Sequence, residues 1–262
     1  MSKEYQLYLK NIKRERILVH IVQILILFIF IFIWEYLSKN NIINSFIYSS
    51  PSKIIKTILE LYKQNNLFNN IWITIYETII SFSLATILGT IISIILWYSK
   101  FLYKVIDPYL TVLNSLPKVA LGPIIIILFG ANINSIIIMS LLISLIITIS
   151  NVYSGFVNTD SNRIKLMKSL GANKYQILKY LIIPYNYHVI INSLKINVGL
   201  SLVGVIMGEF LVSKSGIGYL INYGSQIFNL NLVFAGIFIL LVVSYLMYLI
   251  VLYIEKVLIK NS

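Results

Sequence analysis

The residues Val119–Thr159, VALGPIIIILFGANINSIIIMSLLISLIITISNVYSGFVNT, form a run of 41 residues without a charged side chain. A membrane-crossing helix needs about 20 apolar residues, so this run is long enough for two. The turn-forming segment Gly130–Asn134 divides it, which predicts that one span ends near Phe129 and that another extends from about Ser135 to Tyr153. These residues predict an all-α, polytopic membrane protein.

The composition of the whole chain agrees with that prediction. Of its 262 residues, 58% are hydrophobic and 11% are charged, with a mean hydropathy of +0.87, whereas soluble domains carry about 25% charged residues. The formal charge of +12 predicts cationic loops against anionic lipid rather than a nucleic-acid surface. The sequence has no cysteine and only two distant histidines, His20 and His188, which excludes disulfides, thiolate sites and a histidine metal cluster.

Four further apolar segments, three of them without a charged residue, complete a prediction of six transmembrane helices. The first, Ile17–Trp34, follows a basic segment and lacks a cleavage site, so we expect an uncleaved anchor. The other three are Thr78–Ser99, Tyr187–Val212 and Leu232–Ile254.

The span that ends near Phe129 is predicted to begin near Val105 and to bend or break. Each proline removes a backbone donor and clashes with the preceding helical turn. The residues responsible are Pro108, Pro117, Gly122 and Pro123.

The distribution of basic residues predicts the orientation of the chain. With the N-terminus inside, the inner segments hold 14 Lys and Arg residues and the outer segments hold five, so both termini are expected in the cytoplasm. The predicted organisation is a cytoplasmic tail (1–16), a first span (17–37), an extracytoplasmic segment with an amphipathic helix (38–70), a five-helix core (71–256) that includes a cytoplasmic loop (155–186), and a C-terminal cytoplasmic tail (257–262).

The cytoplasmic loop has a pattern typical of two short helices joined by a tight turn. Asp160 or Ser161 can cap the first helix, Gly171 is suited to end it, and Asn173 can cap a second helix that continues towards the next span. Within the first helix, one apolar face is shared by Ile164, Met167 and Leu170. The residues alone leave open whether this face lies on lipid headgroups or contacts a partner protein.

The same loop resembles the signature of the binding-protein-dependent ABC importer permeases. That signature reads Glu-Ala-Ala, three residues, Gly, nine residues, Ile, any residue, Leu-Pro. Here Gly171 is followed after nine residues by Leu181, any residue, Ile183 and Pro184. The chain departs from the signature at its start, where Lys165-Leu166-Met167 replaces Glu-Ala-Ala.

Two further segments are similar to the nitrate, sulfonate, taurine and bicarbonate branch of these permeases. One is Leu116–Ile124, followed by Leu128–Gly130, and the other is Gly208–Leu211, followed by Ser215–Ile221. The resemblance extends over most of the chain, from about residue 72 to residue 250.

The resemblance implies a type I ABC importer permease fold, a location in the bacterial plasma (inner) membrane and a set of partners. Two permease chains, expected here to be a homodimer in the lipid bilayer, pair with a cytoplasmic ABC ATPase dimer and an extracytoplasmic solute-binding protein. The chain has no phosphate-binding loop of its own, so Mg-ATP is expected on the partner ATPase. Contact with that ATPase is expected at the coupling loop, through Ile164, Met167, Leu170, Gly171, Ala172 and Pro184.

Polar residues and irregular backbone within the spans are candidates for the translocation pathway or its gate. They are Asn114, Pro117, Lys118, Gly122, Pro123, Lys195, Asn197, Ser201 and Glu209. Lys195 could instead extend towards the cytoplasmic face, and Glu209 is expected in a gate or in structural hydrogen bonds. Glu77 is expected as a solvated carboxylate at the outer edge of its span. Small residues suited to helix packing, either within the chain or between copies, are Gly199, Gly204 and Gly208.

Two other classes of function are alternatives to an importer permease. A secondary transporter acting without an ATPase would be expected to show internal repeats and ion-coupling carboxylates. A membrane-embedded enzyme would need a motif such as HExxH, which the sequence lacks. The resemblance is compatible with several small solutes, namely sulfonate-, nitrate- or taurine-like anions, bicarbonate and thiamine-precursor pyrimidines.

Overall fold

The computed structural model describes residues 3–64 and 66–260, and within these residues the regular structure is entirely helical. The helices in chain order are α1 (Lys3–Lys39), α2 (Ser45–Tyr48), α3 (Pro51–Lys63), α4 (Asn66–Tyr98), α5 (Lys100–Ser115), a 3-10 turn (Lys118–Leu121), α6 (Gly122–Phe129), α7 (Ile133–Val157), α8 (Ser161–Ser169), α9 (Lys174–Ile177), a π-helical turn (Leu178–Ile182), α10 (Ile183–Tyr185), α11 (Tyr187–Val212), α12 (Ile217–Gln226) and α13 (Leu230–Lys260).

Among the described residues, five helices are long and apolar enough to cross a membrane, and a bent pair makes a sixth candidate span. The five are α1, α4, α7, α11 and α13, and the pair is α5 with the segment Lys118–Phe129, which meet at 95°. The prediction of six spans, one of them broken, is therefore confirmed.

The bend coincides with one of the three prolines only. Pro108 lies inside α5 without ending it, whereas the backbone becomes extended at Leu116 and Pro117. Pro123 lies in the first turn of α6, where the missing N–H would have had no helical partner. Of the three prolines, only Pro117 therefore breaks the span, and it is the one whose preceding residue, Leu116, is extended, as expected next to a proline.

Several helices extend past the predicted spans. The helix α4 begins at Asn66 rather than near Thr78, and α13 extends to Lys260. The reason is that hydropathy locates only the apolar part of a helix. The polar ends that emerge from the membrane remain helical, because their backbone groups continue to form hydrogen bonds. The predicted amphipathic helix is α3, which is capped by Ser50 and buries Ile54 and Leu61.

The core of the bundle consists of α4, α7 and α11, which pack against one another. Small residues allow their backbones to approach closely. A Cβ added to Gly204 on α11 would lie 2.5 Å from the Cα atom of Ser140 on α7, and one added to Gly208 would lie 2.9 Å from Ile136. Gly204 and Gly208 therefore serve packing within the chain, whereas a Cβ on Gly199 would meet nothing within 4 Å.

The remaining helices pack around this core or leave it. The helix α13 packs on α11, α12 and α3, while α5 lies against α4 and α7, and α6 lies against α7 and α11. The helix α1 contacts α2 and α3, and its most apolar window has no buried residue. In the isolated chain, the first span thus presents its apolar side chains outward.

Gly204 and Gly199 provide a matched pair of substitutions on one helix. Gly204→Ala should destabilise the protein by about 1–3 kcal/mol, because the new methyl group collides with the α7 backbone. Gly199→Ala should leave stability unchanged or raise it by up to about 1 kcal/mol, because alanine is the better helix former. Thermal unfolding of the two variants in lipid nanodiscs measures both effects. Equal midpoints for the two variants would contradict close packing at Gly204.

Candidate functional site

The loop between α7 and α11 begins with a short helix that is capped at both ends. The side chain of Asp160 accepts a hydrogen bond from the Asn162 amide at 2.8 Å. At the other end Gly171 has a φ of +79°, and its amide donates to the Lys168 carbonyl at 2.9 Å. The Ala172 amide donates to the Met167 carbonyl at 3.0 Å, which completes a Schellman motif. The predicted helix and glycine turn are confirmed.

The second helix of the loop is also capped as predicted but is not continuous with the next span. Asn173 and Gln176 form a reciprocal capping box at the start of α9. A π-helical turn and α10 follow, and the chain turns at Asn186 before α11 begins. The buried Asn186 side chain donates to Thr159 Oγ1 at 2.7 Å and to the Ile182 carbonyl at 2.9 Å. The loop and the next span are therefore not one continuous helix. They are joined instead by the hydrogen bond between the Asn186 and Thr159 side chains at the two ends of the loop.

The apolar face of α8 is divided between internal packing and the surface. Ile164 and Met167 are half-buried and pack against a cluster that includes Val152, Phe156 and Ile177. Leu170 is 75% exposed, and Leu166, which the sequence reasoning did not select, is 60% exposed. The chain thus uses Ile164 and Met167 in part to seat α8 on its own core, and the expected contact of Ile164, Met167 and Leu170 with an ATPase stays a prediction.

Two other residues selected in the loop also differ in exposure. Ala172 packs partly buried against the same cluster as Ile164, whereas Pro184 is exposed. The loop is further held to the end of α4 by Lys174, whose Nζ donates to the Tyr98 carbonyl at 2.5 Å and lies 4.8 Å from the centroid of the Tyr98 ring. Sequence spacing gave no signal for this contact, which joins residues far apart in the chain.

The bent span exposes a polar surface at its break. Lys118 Nζ donates to the main-chain oxygen and to the Oδ1 atom of Asn114, each at 3.2 Å. Asn114, Pro117 and Pro123 are exposed, whereas Gly122 is buried close to Leu211 and Met139. Of the pathway candidates in this span, Gly122 therefore acts in packing and the others lie on an accessible surface.

Asn197 and Ser201 belong to the interior of the bundle rather than to an accessible pathway. Asn197 Nδ2 donates to Thr86 Oγ1 at 2.8 Å, and Asn197 Oδ1 accepts from Thr148 Oγ1 at 2.9 Å. The Ser201 hydroxyl is 2.7 Å from that of Ser144. Because both side chains are fully buried between α4, α7 and α11, their expected contact with the pathway is corrected to a structural role.

Lys195 is neither in an open pathway nor extended alone towards the membrane surface. Its Nζ lies 2.9 Å from Glu255 Oε1 on α13, and the two side chains are 22% and 19% exposed. The charge of Lys195 is therefore balanced within the chain, and the pair ties α11 to α13.

Glu209 is fully buried and accepts structural hydrogen bonds, one of the two roles expected for it. Its Oε1 accepts from Thr74 Oγ1 at 2.6 Å and its Oε2 accepts from the Gly218 amide at 2.5 Å. Glu77 is 1% exposed and lies beside Glu209, which contradicts the expectation of a solvated carboxylate. The reason is that α4 begins at Asn66, so Glu77 lies about three turns inside that helix.

The structure also contains a polar cavity that the sequence reasoning missed. It has a volume of about 470 Å³, lies between α7 and the start of α11, and is lined by polar side chains that include Asn151, Ser154, Asn158, His188 and Asn192. Each of these residues is ordinary in isolation, so only the packing of the two helices reveals the surface.

Over the part of the chain that the structure describes, no group of three or more acidic or histidine side chains could hold a metal ion.

Comparison with known proteins supports the resemblance seen in the motifs. The protein named putative aliphatic sulfonates transport permease SsuC, from Bacillus subtilis, is 28% identical over 216 residues, which cover 82% of this chain and 78% of SsuC. The formylaminopyrimidine transport permease ThiX of Halalkalibacterium halodurans is 28% identical over 208 residues, which cover 79% of this chain and 82% of ThiX.

The fold is shared with a solved transporter. Inward-facing structures of the MetNI methionine ABC transporter include a chain that matches with a TM-score of 0.66 at 16% identity, over 74% of this chain and 97% of that one. The family model described as binding-protein-dependent transport system inner membrane component matches residues 85–260. The capped loop, the broken span and this match together show that the chain belongs to the family of inner membrane components of binding-protein-dependent transport systems, the permeases of ABC importers.

Proposed function

We propose that the chain is the permease of an ATP-driven importer in which two copies pair with a cytoplasmic ATPase dimer and receive solute from an extracytoplasmic binding protein. The observation that carries this proposal is the construction of the α8 loop. A short helix capped at both ends and seated on a buried cluster can pass on a displacement as a rigid body. A secondary transporter acting without an ATPase finds no support among the relatives.

The outward surface of α8 suits a protein partner. Leu166 and Leu170 are exposed large apolar side chains, and Lys165 and Lys168 lie beside them. This combination fits an apolar recess with an acidic rim on the ATPase. The loop also lies on the side that the excess of basic residues assigns to the cytoplasm, where the ATPase acts.

The loop connects the proposed ATPase contact to three spans. Phe156 and Val152 of α7 form its seat, Asn186 joins it to the start of α11, and Lys174 holds it against the end of α4. Since these are the three core helices, movement of α8 would reorient the core as a unit rather than bend one helix.

Reconstitution tests the proposed function directly. The chain alone in proteoliposomes should transport no solute, and uptake should require a partner ATPase, ATP and a binding protein. ATP omitted from otherwise complete vesicles serves as the control. Uptake by the chain alone would overturn the proposal and favour a secondary transporter.

Gly171 offers a test of coupling that separates backbone conformation from side-chain volume. A Cβ at this position meets nothing within 4 Å, so the cost of substitution lies in the positive φ. Gly171→Val should reduce uptake by about tenfold or more relative to ATP hydrolysis, because a β-branched residue disfavours this conformation. Gly171→Asn should retain most uptake, since asparagine adopts the left-handed conformation more readily. Equal uptake by the two variants would contradict the importance of the turn.

We further propose that the broken span lines the pathway and that Lys118 contacts the solute. Lys118 is a cation at the break, with Thr111, Asn114 and Ser115 exposed on the preceding helix. An ammonium group beside neutral polar side chains favours a small anion such as a sulfonate, nitrate or taurine-like solute. A thiamine-precursor pyrimidine is the second candidate, favoured by the similarity to ThiX.

Substitution of Lys118 distinguishes these solutes. If the solute is an anion, Lys118→Met should lower the rate of uptake at limiting solute by about tenfold, while Lys118→Arg retains much of it, because a charge-assisted hydrogen bond is worth about 1.5–3 kcal/mol. Lys100→Met, at the start of α5, is the control. Normal uptake by Lys118→Met would exclude an essential anion contact and favour the neutral pyrimidine.

A further inference from the structure

Two carboxyl groups are buried side by side at the end of the bundle that carries α12. Glu77 on α4 and Glu209 on α11 are each 1% exposed, and Thr74, which lies one turn before Glu77 on the same face of α4, donates to Glu209 Oε1 at 2.6 Å, so the two carboxyl groups are neighbours. Burial of one unpaired carboxylate is costly, and burial of two in contact is more so. The surroundings of the pair must therefore offset the cost of burying the two carboxyl groups together.

Glu209 is surrounded by hydrogen-bond donors. Thr74 donates to its Oε1 atom and the Gly218 amide donates to its Oε2 atom. Gly218 belongs to the first turn of α12, where free amides and the helix dipole favour a negative charge. These contacts favour a negative charge on Glu209 rather than on Glu77.

The neighbouring amides of α12 are also held by α4. The Gly216 amide donates to Asn70 Oδ1 at 2.6 Å, and the Ile217 amide donates to Thr74 Oγ1 at 2.8 Å. The start of α12 is thus fastened to α4 by Asn70 and Thr74 and to α11 by Glu209. This arrangement joins three helices at one point.

Glu77 has the opposite environment. Its Oε2 atom is buried without a hydrogen-bond partner, and within residues 3–64 and 66–260 it forms no salt bridge. A cavity of about 330 Å³ beside it is lined by Lys214, whose side chain is exposed to solvent, and by Asn132. With Glu209 ionised, a charged Glu77 would be repelled, whereas a protonated Glu77 can donate a hydrogen bond to it.

A bound cation could in principle neutralise the pair in place of the proton. Both oxygens of Glu209 already accept hydrogen bonds from donors that a cation would repel. The geometry thus favours a proton between the two groups over a metal ion.

We propose that Glu77 is a carboxylic acid that donates a hydrogen bond to the Glu209 carboxylate, and that this shared proton fastens α12 and α11 to α4. Glu77 is then a positioning residue, which acts through Glu209 on the start of α12. At neutral pH this proton stays bound between the two carboxyl groups.

Isosteric substitutions test the assignment because the two residues should respond in opposite ways. Glu77→Gln supplies a neutral donor of the same shape, so the purified full-length chain in nanodiscs should unfold at the same temperature or higher. Glu209→Gln removes the charge that the α12 amides require and places an NH₂ or a neutral oxygen against them, so its midpoint should fall by about 2–10 °C. Glu60→Gln, at an exposed carboxylate on α3, is the matched control.

Infrared difference spectroscopy detects the protonated carboxyl group itself, and a purely structural effect of the substitutions would leave its band unchanged. The wild type should show the C=O stretch of a protonated carboxyl group at neutral pH, with a shift in D₂O. Glu77→Gln should lose this band and Glu60→Gln should keep it. Persistence of the band in Glu77→Gln, or a Glu77→Gln protein as unstable as Glu209→Gln, would overturn the proposal. Stability of the wild type that depends on added Na⁺ or K⁺ would favour the cation instead.

Discussion

Every polar group inside the bundle must find its partner within the protein, because the hydrocarbon core of a membrane provides none. Hydroxyl and amide side chains meet this requirement where α4, α7 and α11 touch. Asn197 alone joins Thr86 on α4 to Thr148 on α7. These bonds require short distances between the helices, and Gly204 on α11 permits such an approach. The position of every other element depends on this three-helix contact.

The loop at one end and α12 at the other are both attached to that contact, by different means. The loop is attached by an apolar cluster around Phe156 and by the bond from Asn186 to Thr159. The start of α12 is attached by charge and backbone hydrogen bonds that converge on Glu209. Apolar packing tolerates the small rotations that a moving loop needs, whereas a buried carboxylate holds its donors in one arrangement. The two ends of the core are therefore suited to different tasks.

Much of this architecture could be predicted from local pattern. Apolar runs located the spans, and the residues Asp160, Gly171 and Asn173 predicted the two loop helices with their caps. Signals of this kind reside in a few consecutive residues, since a cap or a glycine turn forms within one segment of chain. The faces of α8 could be predicted less well. The spacing of its apolar residues correctly predicted an apolar face, but spacing cannot show whether that face contacts the protein's own core or a partner.

The sequence by itself determined that the chain is a six-span membrane protein with a broken third span and a capped helix-turn-helix loop. Only the tertiary structure decided the roles of the polar residues inside the spans. Glu77 and Glu209 are 132 residues apart in sequence, and Lys195 meets Glu255 across 60 residues. Hydropathy reports whether a residue leaves water, whereas its role depends on the groups that replace the water. Those groups come from other helices, and packing alone brings them together.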